Sequence, residues 1–293
     1  MKIFVAGAGG FIGQNLIKKL TQSTNHNIVA LTRRKINFSA GKNIVGDILK
    51  SDKWKEELQS SDVVVNLCGN DIARKWPRSV KIELQNARLK TTEAIVRAMN
   101  SKQLLINASA VGYYGYSRDK TFDETSVSGK DYLALLAKDW ELKALSAIEK
   151  KCRVVIMRLG VVLGNGGAIK NIVGQKFIGG RIGSGKQYFS WIHITDVLHF
   201  IKRAIDEDEF YGIYNICSPN PVCYDEFNAS LGSILPRITT MKIPNMLLKM
   251  SVGEFAETLI QGQKVLPKRL QQLDFEFTFP YLKEALQDVL AKV

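Results

Sequence analysis

The stretch KIFVAGAGGFIGQNLIKKL, residues 2–20, constrains this chain more than any other. A short apolar strand, residues 2–6, runs straight into a glycine loop that places Gly7, Gly10 and Gly13 ahead of the next element. An amphipathic helix comes next, with Leu16, Ile17 and Leu20 on one face. HNIVALTRR then reads as a second strand. A strand, a glycine loop, a helix and another strand form a unit whose crossover makes a parallel sheet. Each glycine has a physical use in that setting. Gly7 permits the tight turn, Gly10 lets a pyrophosphate approach the backbone, and Gly13 lets helix and strand pack closely. The helix N-terminus adds N–H donors and a positive dipole end. Dinucleotide binding is the expectation, and a glycine turn without a ligand is the alternative.

Further strands are expected at NIVGDI, at SDVVVNLCG, at QLLINASAVG and at CRVVIMRLGVVLG. Long helices are expected over RSVKIELQNARLKTTEAIVRAMN and DYLALLAKDWELKALSAIEKK. The first of these carries Leu84, Ala87, Thr91, Ile95 and Ala98 on one face. Strands and helices alternate to about residue 164, which predicts an α/β fold: a Rossmann-type, doubly wound parallel sheet. The texture then changes. Residues 164–190 are glycine-rich and long for a connection, a length associated with function. WIHITDVLHFIKRAID and GIYNICSP return to strand and helix, and residues 220–293 read as mainly helical. The expected division is a nucleotide-binding domain over 1–164 and about 190–218, with a smaller, mainly helical C-terminal lobe from about 165–189 and 219–293 that receives substrate.

The net charge is +13. The basic clusters are short and lie on different elements, with no aromatic interleaving of the kind that stacks bases, so nucleic acid is not expected as a partner. An anionic small ligand accounts for part of the charge. No apolar run approaches the ~20 residues a membrane helix needs. Cys68, Cys152, Cys217 and Cys223 share no metal-type spacing, so no metal is expected and reduced thiols in the cytoplasm are the simple reading. The second strand ends ALTRRK. Where an NAD-binding chain carries an acidic residue for the ribose 2′-OH, this one carries Arg33 and Arg34, cations suited to a 2′-phosphate. The expected cofactor is therefore NADP(H), with Arg33 as its main discriminating contact. Asp47, after the third strand, is a candidate acceptor for the adenine amino group or a strand-end turn residue.

AGAGGFIG, GDI, NLCG, NASAVGYYG, RLGVVLG and SWIHITDV together resemble the extended short-chain dehydrogenase/reductases, which include nucleotide-sugar epimerases and dehydratases. SAVGYYG, GSGKQYFSWIH, NICSPNPV and QKVLPKRL are similar to an atypical branch of that family, often labelled "epimerase family protein". The likeness runs nearly end to end. It implies a cofactor lining of Gly7, Gly10, Phe11, Ile12 and Gly13, then Thr32, Arg33 and Arg34, Asp47 and Ile48, then Leu67, Cys68 and Gly69, and Arg88. It also implies a serine, an asparagine and a tyrosine followed four residues later by lysine as catalytic groups. Ser109 matches the serine, and Arg88 stands where the asparagine is expected. The dyad fails in its usual helix. Aligned on Trp140 and Glu141, its positions hold Leu133 and Ala137, or Tyr132 and Leu136, while Lys138 lies a further ~100° round the helix.

Three readings remain open for the proton. Tyr113 or Tyr114 donates it, with Arg88 as the cation; a substrate group or water handles it; or the chain binds NADP(H) without turnover. Both tyrosines have a pocket-wall reading too. Trp76, Arg158, Lys186, Gln187 and Trp191 are candidate substrate contacts, with core packing, an ion pair or a solvated loop as their ordinary uses. Lys268 and Arg269 are candidates for a substrate phosphate or a solvated face. His193 has a structural reading ahead of a catalytic one, and Asp196 is expected to cap the helix after it. The function expected is that of an oxidoreductase or epimerase-like enzyme on a small polar substrate, with a nucleotide sugar as one candidate. The alternative is a non-catalytic NADP(H) sensor. Relatives of this fold often pair through helices, so a homodimer is also an expectation.

Overall fold

A computed structural model of the chain describes residues 1–23, 25–36, 41–167, 180–235 and 241–291. Seven parallel strands build the central sheet: β1 (Lys2–Ala6), β2 (Asn27–Thr32), β3 (Lys42–Val45), β4 (Val63–Asn66), β5 (Leu104–Ala110), β6 (Arg153–Leu159) and β7 (Gly212–Ile216). Their spatial order is β3-β2-β1-β4-β5-β6-β7. The chain winds outward from β1 to one edge, returns, and winds to the other. The order reverses between β1 and β4, the place where open α/β sheets bind ligands at the carboxyl ends of their strands.

The sheet is buried on both faces, which is why its strands are continuously apolar. Ile3 and Val5 face α1 (Phe11–Ser23), packing with Leu16, Ile17 and Leu20 and with Phe200 and Ile201 further along the chain. Phe4 and Ala6 face the other way, onto Trp54, Leu58, Ile95 and Val96. The helix expected over residues 78–100 is present in three pieces. These are α2 (Arg78–Gln85), a π-helical turn (Asn86–Lys90) and α3 (Thr91–Ala98). Next comes α4 (Tyr132–Leu145), whose N-terminus is capped by Asp131 accepting from the N–H groups of Leu133 and Ala134.

The single strand expected over CRVVIMRLGVVLG is broken at Gly160. A Cβ there would lie 2.9 Å from the carbonyl oxygen of Ser190. The chain therefore leaves the sheet, and Val161–Leu163 pairs instead with Trp191–His193. Asp196 does not cap α5 (Ile194–Asp206). The Nδ1 of His193 accepts from the N–H of Thr195 and does that work. The Asp196 carboxylate, fully buried, accepts from the N–H groups of Thr278 and Phe279 at 2.7 and 3.2 Å and ties down the C-terminal segment. Burial raises its pKa above the ordinary carboxylate value.

The C-terminal region is mainly helical, laced to the rest by short strand pairs. Tyr188–Phe189 pairs with Val222–Cys223, and Lys264–Val265 with Thr121–Phe122. Together with Glu124 it seals the β7 edge of the sheet. Glu124 Oε1 accepts from the backbone N–H of Asn215 at 3.0 Å, and the Arg269 guanidinium donates to the carbonyl of Ile213 at 2.8 Å. Part of the long glycine-rich loop, residues 168–179, lies outside the described residues. Among the described residues no helix is long and apolar enough to cross a membrane, and no three side chains are grouped as metal ligands.

Candidate functional site

At the end of β1 the backbone of Gly7 takes φ +77°, a left-handed conformation that favours glycine. A Cβ on Gly7 would also lie 2.7 Å from the carbonyl carbon of Leu67. The loop after β4, Leu67-Cys68-Gly69, thus crosses directly against the glycine turn. The N–H of Gly10 donates back to the Gly7 carbonyl at 3.0 Å. A Cβ on Gly13 would meet that same carbonyl oxygen at 2.6 Å, so the start of α1 packs directly against the turn. The turn leads into Phe11, Ile12 and Gly13, in the first turn of α1, where backbone N–H groups have no intrahelical acceptor. This cradle fits a pyrophosphate on an observation of backbone geometry alone. The ring of Phe11 stands over the next glycine loop. Side chains on Gly164 or Gly167 would each come within 2.7 Å of it.

At the end of β2, Thr32 is buried and donates to Asn43 Oδ1 at 3.3 Å. Arg33 and Arg34 are exposed, and neither forms an ion pair with a described residue. The charge of Arg33 is felt by Cys68 and by Glu83, which places it on the same side as the β4 loop. Asp47 accepts from the N–H of Leu49 at 2.9 Å and forms the turn after β3, beside the buried Ile48. Burial pushes the Cys68 thiol up to about 12, so it is a packing group and not a thiolate.

The carboxyl ends of β5, β6 and β7 carry a polar row. Ser109, Arg158 and Asn215 are register neighbours across three strands. The Ser109 hydroxyl donates to Glu141 Oε1 at 2.6 Å. Arg158 donates to both oxygens of Glu141, Nε to Oε1 at 2.9 Å and Nη2 to Oε2 at 2.8 Å. Its Nη1 donates to the Tyr114 hydroxyl at 2.8 Å, which in turn donates to Asn215 Oδ1 at 2.7 Å. Burial alone would lower the pKa of Arg158. The hydrogen bonds and charge of Glu141 outweigh it and hold the guanidinium above its usual range. Burial raises the Tyr114 phenol, against the opposing pull of Arg158. Ser109 and Tyr114 therefore stand inside a satisfied ion-pair network, not facing open space. Tyr113, on the same short turn as Tyr114, lays its ring over Arg158 with the guanidinium carbon 3.5 Å from the ring centre. Its hydroxyl has no hydrogen-bond partner among the described residues.

Leu133 and Ala137, at the dyad positions of α4, are both buried. Tyr132 points elsewhere, its hydroxyl donating to the carbonyl of Lys81 at 3.1 Å. A tyrosine and lysine with the required spacing do occur at Tyr116 and Lys120, but on a loop, and the Tyr116 hydroxyl meets Thr258 Oγ1 at 3.0 Å. Arg88 lies at the centre of the π-helical turn, its Nη2 donating to the carbonyl of Asn70 at 3.0 Å.

The remaining candidates separate. Trp76 is buried against Tyr132 and Phe255, with ring centres 5.6 and 5.9 Å away. Trp191 is fully buried with Phe227 and Leu282 in the C-terminal core, so it lines no open surface. Gln187 is also buried, donating to the carbonyls of Ile182 and Leu259, and is a strut of the lobe. Lys186 is exposed beside it. Lys268 pairs with Asp123 at 3.4 Å, and Arg269 caps the sheet edge. The sequence reading missed Glu141. Its signal was a lone charge on a helix face otherwise occupied by Leu133, Ala134, Ala137 and Ala144. It also missed the buried chain in which Trp140 donates to Thr92, and Asn66 to both Thr92 and Asn107.

A glycine turn at the switch point, an anion-ready helix start and a polar row at the strand ends define a dinucleotide-binding α/β protein. The chain belongs to the NAD dependent epimerase/dehydratase family, whose model matches residues 3–217; residues 243–289 match a domain of unknown function, DUF1731. The epimerase family protein SDR39U1 homolog, chloroplastic, of Arabidopsis thaliana is 40% identical over 99% of this chain and 87% of its own length. Epimerase family protein YfhF of Bacillus subtilis is 33% identical over 99% of this chain and 98% of its own. A crystal structure of human epimerase family protein SDR39U1 (isoform 2) with NADPH superposes with a TM-score of 0.87 at 28% identity, covering all of both chains.

Proposed function

We propose that this chain is an NADP(H)-dependent oxidoreductase or epimerase-like enzyme acting on a small polar substrate, a nucleotide sugar being one candidate. The observation that carries the reading is the end of β2. There two arginines without ion-pair partners among the described residues, and no carboxylate, stand at the ribose end of an intact pyrophosphate cradle. The human relative crystallised with NADPH supports it. Gly7, Gly10 and the first turn of α1 hold the pyrophosphate. Arg33 and Arg34 receive the 2′-phosphate, and the free oxygen of Asp47 takes the adenine amino group. Ile48, Leu67 and Cys68 pack the adenosine end.

NADPH, when bound, supplies hydride. The chain must then orient the acceptor and deliver a proton. With Ser109 and Tyr114 tied to Glu141, Arg158 and Asn215, the proton falls to the Tyr113 hydroxyl or to water. The same locked hydroxyls, with Leu133 and Ala137 at the dyad positions, favour a second reading, an NADP(H)-binding sensor without turnover.

The test is a titration with NADPH and with NADH, read by nicotinamide fluorescence, and then a carbonyl screen for NADPH consumption. NADPH is expected to bind at least tenfold tighter. Arg33→Ala should remove most of that preference, since a charge-assisted hydrogen bond contributes roughly 1.5–3 kcal/mol. Equal binding of both cofactors would sink the NADP(H) assignment. NADPH binding with no consumption across the screen would favour the sensor.

A further inference from the structure

The π-helical turn Asn86–Lys90 interrupts an otherwise continuous helix from Arg78 to Ala98. Such turns carry one residue more than an α-helical turn and are frequent at functional sites. Without the extra residue, α2 would be rotated by about 100° relative to α3. The residue that the turn presents is Arg88.

The side chain that carries that guanidinium is half-buried. Nη2 donates to the carbonyl of Asn70 at 3.0 Å and Nη1 to that of Leu84 at 3.4 Å. A guanidinium has five N–H groups, so three have no acceptor among the described residues. The Trp140 ring centre is 5.3 Å from its central carbon, and a side chain on Gly69 would touch it at 3.4 Å. No carboxylate among the described residues pairs with it. Arg158, by contrast, is paired with Glu141, Arg153 with Asp208 and Arg203 with Glu207. Burial lowers the pKa of Arg88, whereas that of Arg158 is raised by its partner. Arg88 also adjoins the loop that lies against the Gly7 turn, so it borders the cofactor cradle.

We infer that Arg88 is the oxyanion-recognition residue of the site, receiving a carboxylate or phosphate group of the substrate through N–H donors that the π-turn aims into the cleft. This deepens the reading of the site as a substrate-binding cleft and rests on it. It narrows the substrate to an anion. A planar fork of donors suits either oxyanion.

Trp140 stands close enough to report occupancy through its fluorescence. The NADPH-loaded protein is titrated with oxalate and, separately, with inorganic phosphate. At least one ion is expected to saturate the signal. Oxalate alone identifies a carboxylate site, phosphate alone a phosphate site, and both an unselective oxyanion site. Arg88→Gln should weaken binding at least tenfold, Arg88→Lys less, and a variant lacking Ala87 as much as Arg88→Gln. NADPH affinity is measured in Arg88→Gln alongside, because the family resemblance also places Arg88 in the cofactor lining, and the ion titration is repeated without NADPH so that the two roles separate.

Binding of neither ion overturns the inference. So does unchanged ion binding in Arg88→Gln, or loss of NADPH affinity there with ion binding intact, which would make Arg88 a cofactor contact. If the unmutated protein binds no NADPH, the enzyme reading fails, and the same titration of the unloaded protein still decides the role of Arg88.

Discussion

Replacing Glu141 by glutamine would leave Arg158 as a charge without a counter-ion in the interior. The side chains are 4% and 2% exposed, and Arg158 holds Glu141 through two hydrogen bonds under 3 Å. Breaking a buried pair from one side costs about 3–5 kcal/mol, far more than an exposed pair, because the surviving charge keeps its desolvation penalty. The Ser109 hydroxyl would keep an acceptor in the amide, so it adds little. For a chain of this size each kcal/mol moves the melting temperature by roughly 2–4 °C, so Glu141→Gln should melt at least ~6 °C lower. Removing both charges in Glu141→Leu/Arg158→Met abolishes that penalty and leaves mainly Tyr114 and Ser109 short of a partner, about 1 kcal/mol each. The double variant should therefore be more stable than Glu141→Gln. Urea denaturation of Glu141→Leu, of Arg158→Met and of the double variant closes the cycle. A cost below ~1 kcal/mol for Glu141→Gln, or single-variant costs that simply add in the double, would refute the reading of this row as one coupled unit.

Gly7→Ala should lower stability and weaken NADPH binding at least tenfold, since it strains φ +77° and drives a methyl to 2.7 Å from Leu67; calorimetry and nicotinamide fluorescence read the two effects, and near-native behaviour would contradict the close crossing. Tyr113→Phe should leave the urea midpoint within about 0.5 kcal/mol and reduce any turnover found, whereas Tyr114→Phe should cost about 1 kcal/mol of stability. The reverse pattern would exchange their roles. Glu57 accepts from Lys2 and Lys42, and those bonds hold its carboxyl below the ordinary value of 4.5. Its contribution is complete above about pH 4.5 and lost as pH falls through the depressed folded value. Glu57→Gln should flatten that acid limb of the stability curve, and an unchanged limb would remove Glu57 from it.

The fold was legible because its signals are local. The β1 turn and α1 declare themselves through glycines whose missing side chains would collide with backbone, and the two-sided burial of the sheet shows in unbroken apolar runs such as VVVN. Arg33 and Arg34 were legible as cations where an acid is usual. Other features depend on what the chain meets in space. The π-turn leaves the apolar spacing around Leu84 and Ile95 nearly intact, so nothing in the pattern marks it. Asp196 sits where a helix cap should, but its carboxylate is taken by Thr278 and Phe279, some eighty residues on, and His193 fills the vacancy. Ser109 aligns with a catalytic serine, yet what it does is decided by Glu141 on a neighbouring helix. Gln187 read as a substrate contact because it follows a flexible GSG, and Trp191 because it offers a large apolar surface, and folding turned both inward.

The seal along β7 sets a limit on how this molecule can associate. An outer strand ordinarily offers a ladder of unmatched amide and carbonyl groups on which a second chain can add. Here the amide of Asn215 is already answered by Glu124 and the carbonyl of Ile213 by Arg269. At that margin the sheet is finished from within, by side chains recruited from both halves of the sequence. Growth by strand addition is blocked there, and any self-association across that side must use the molecule's faces.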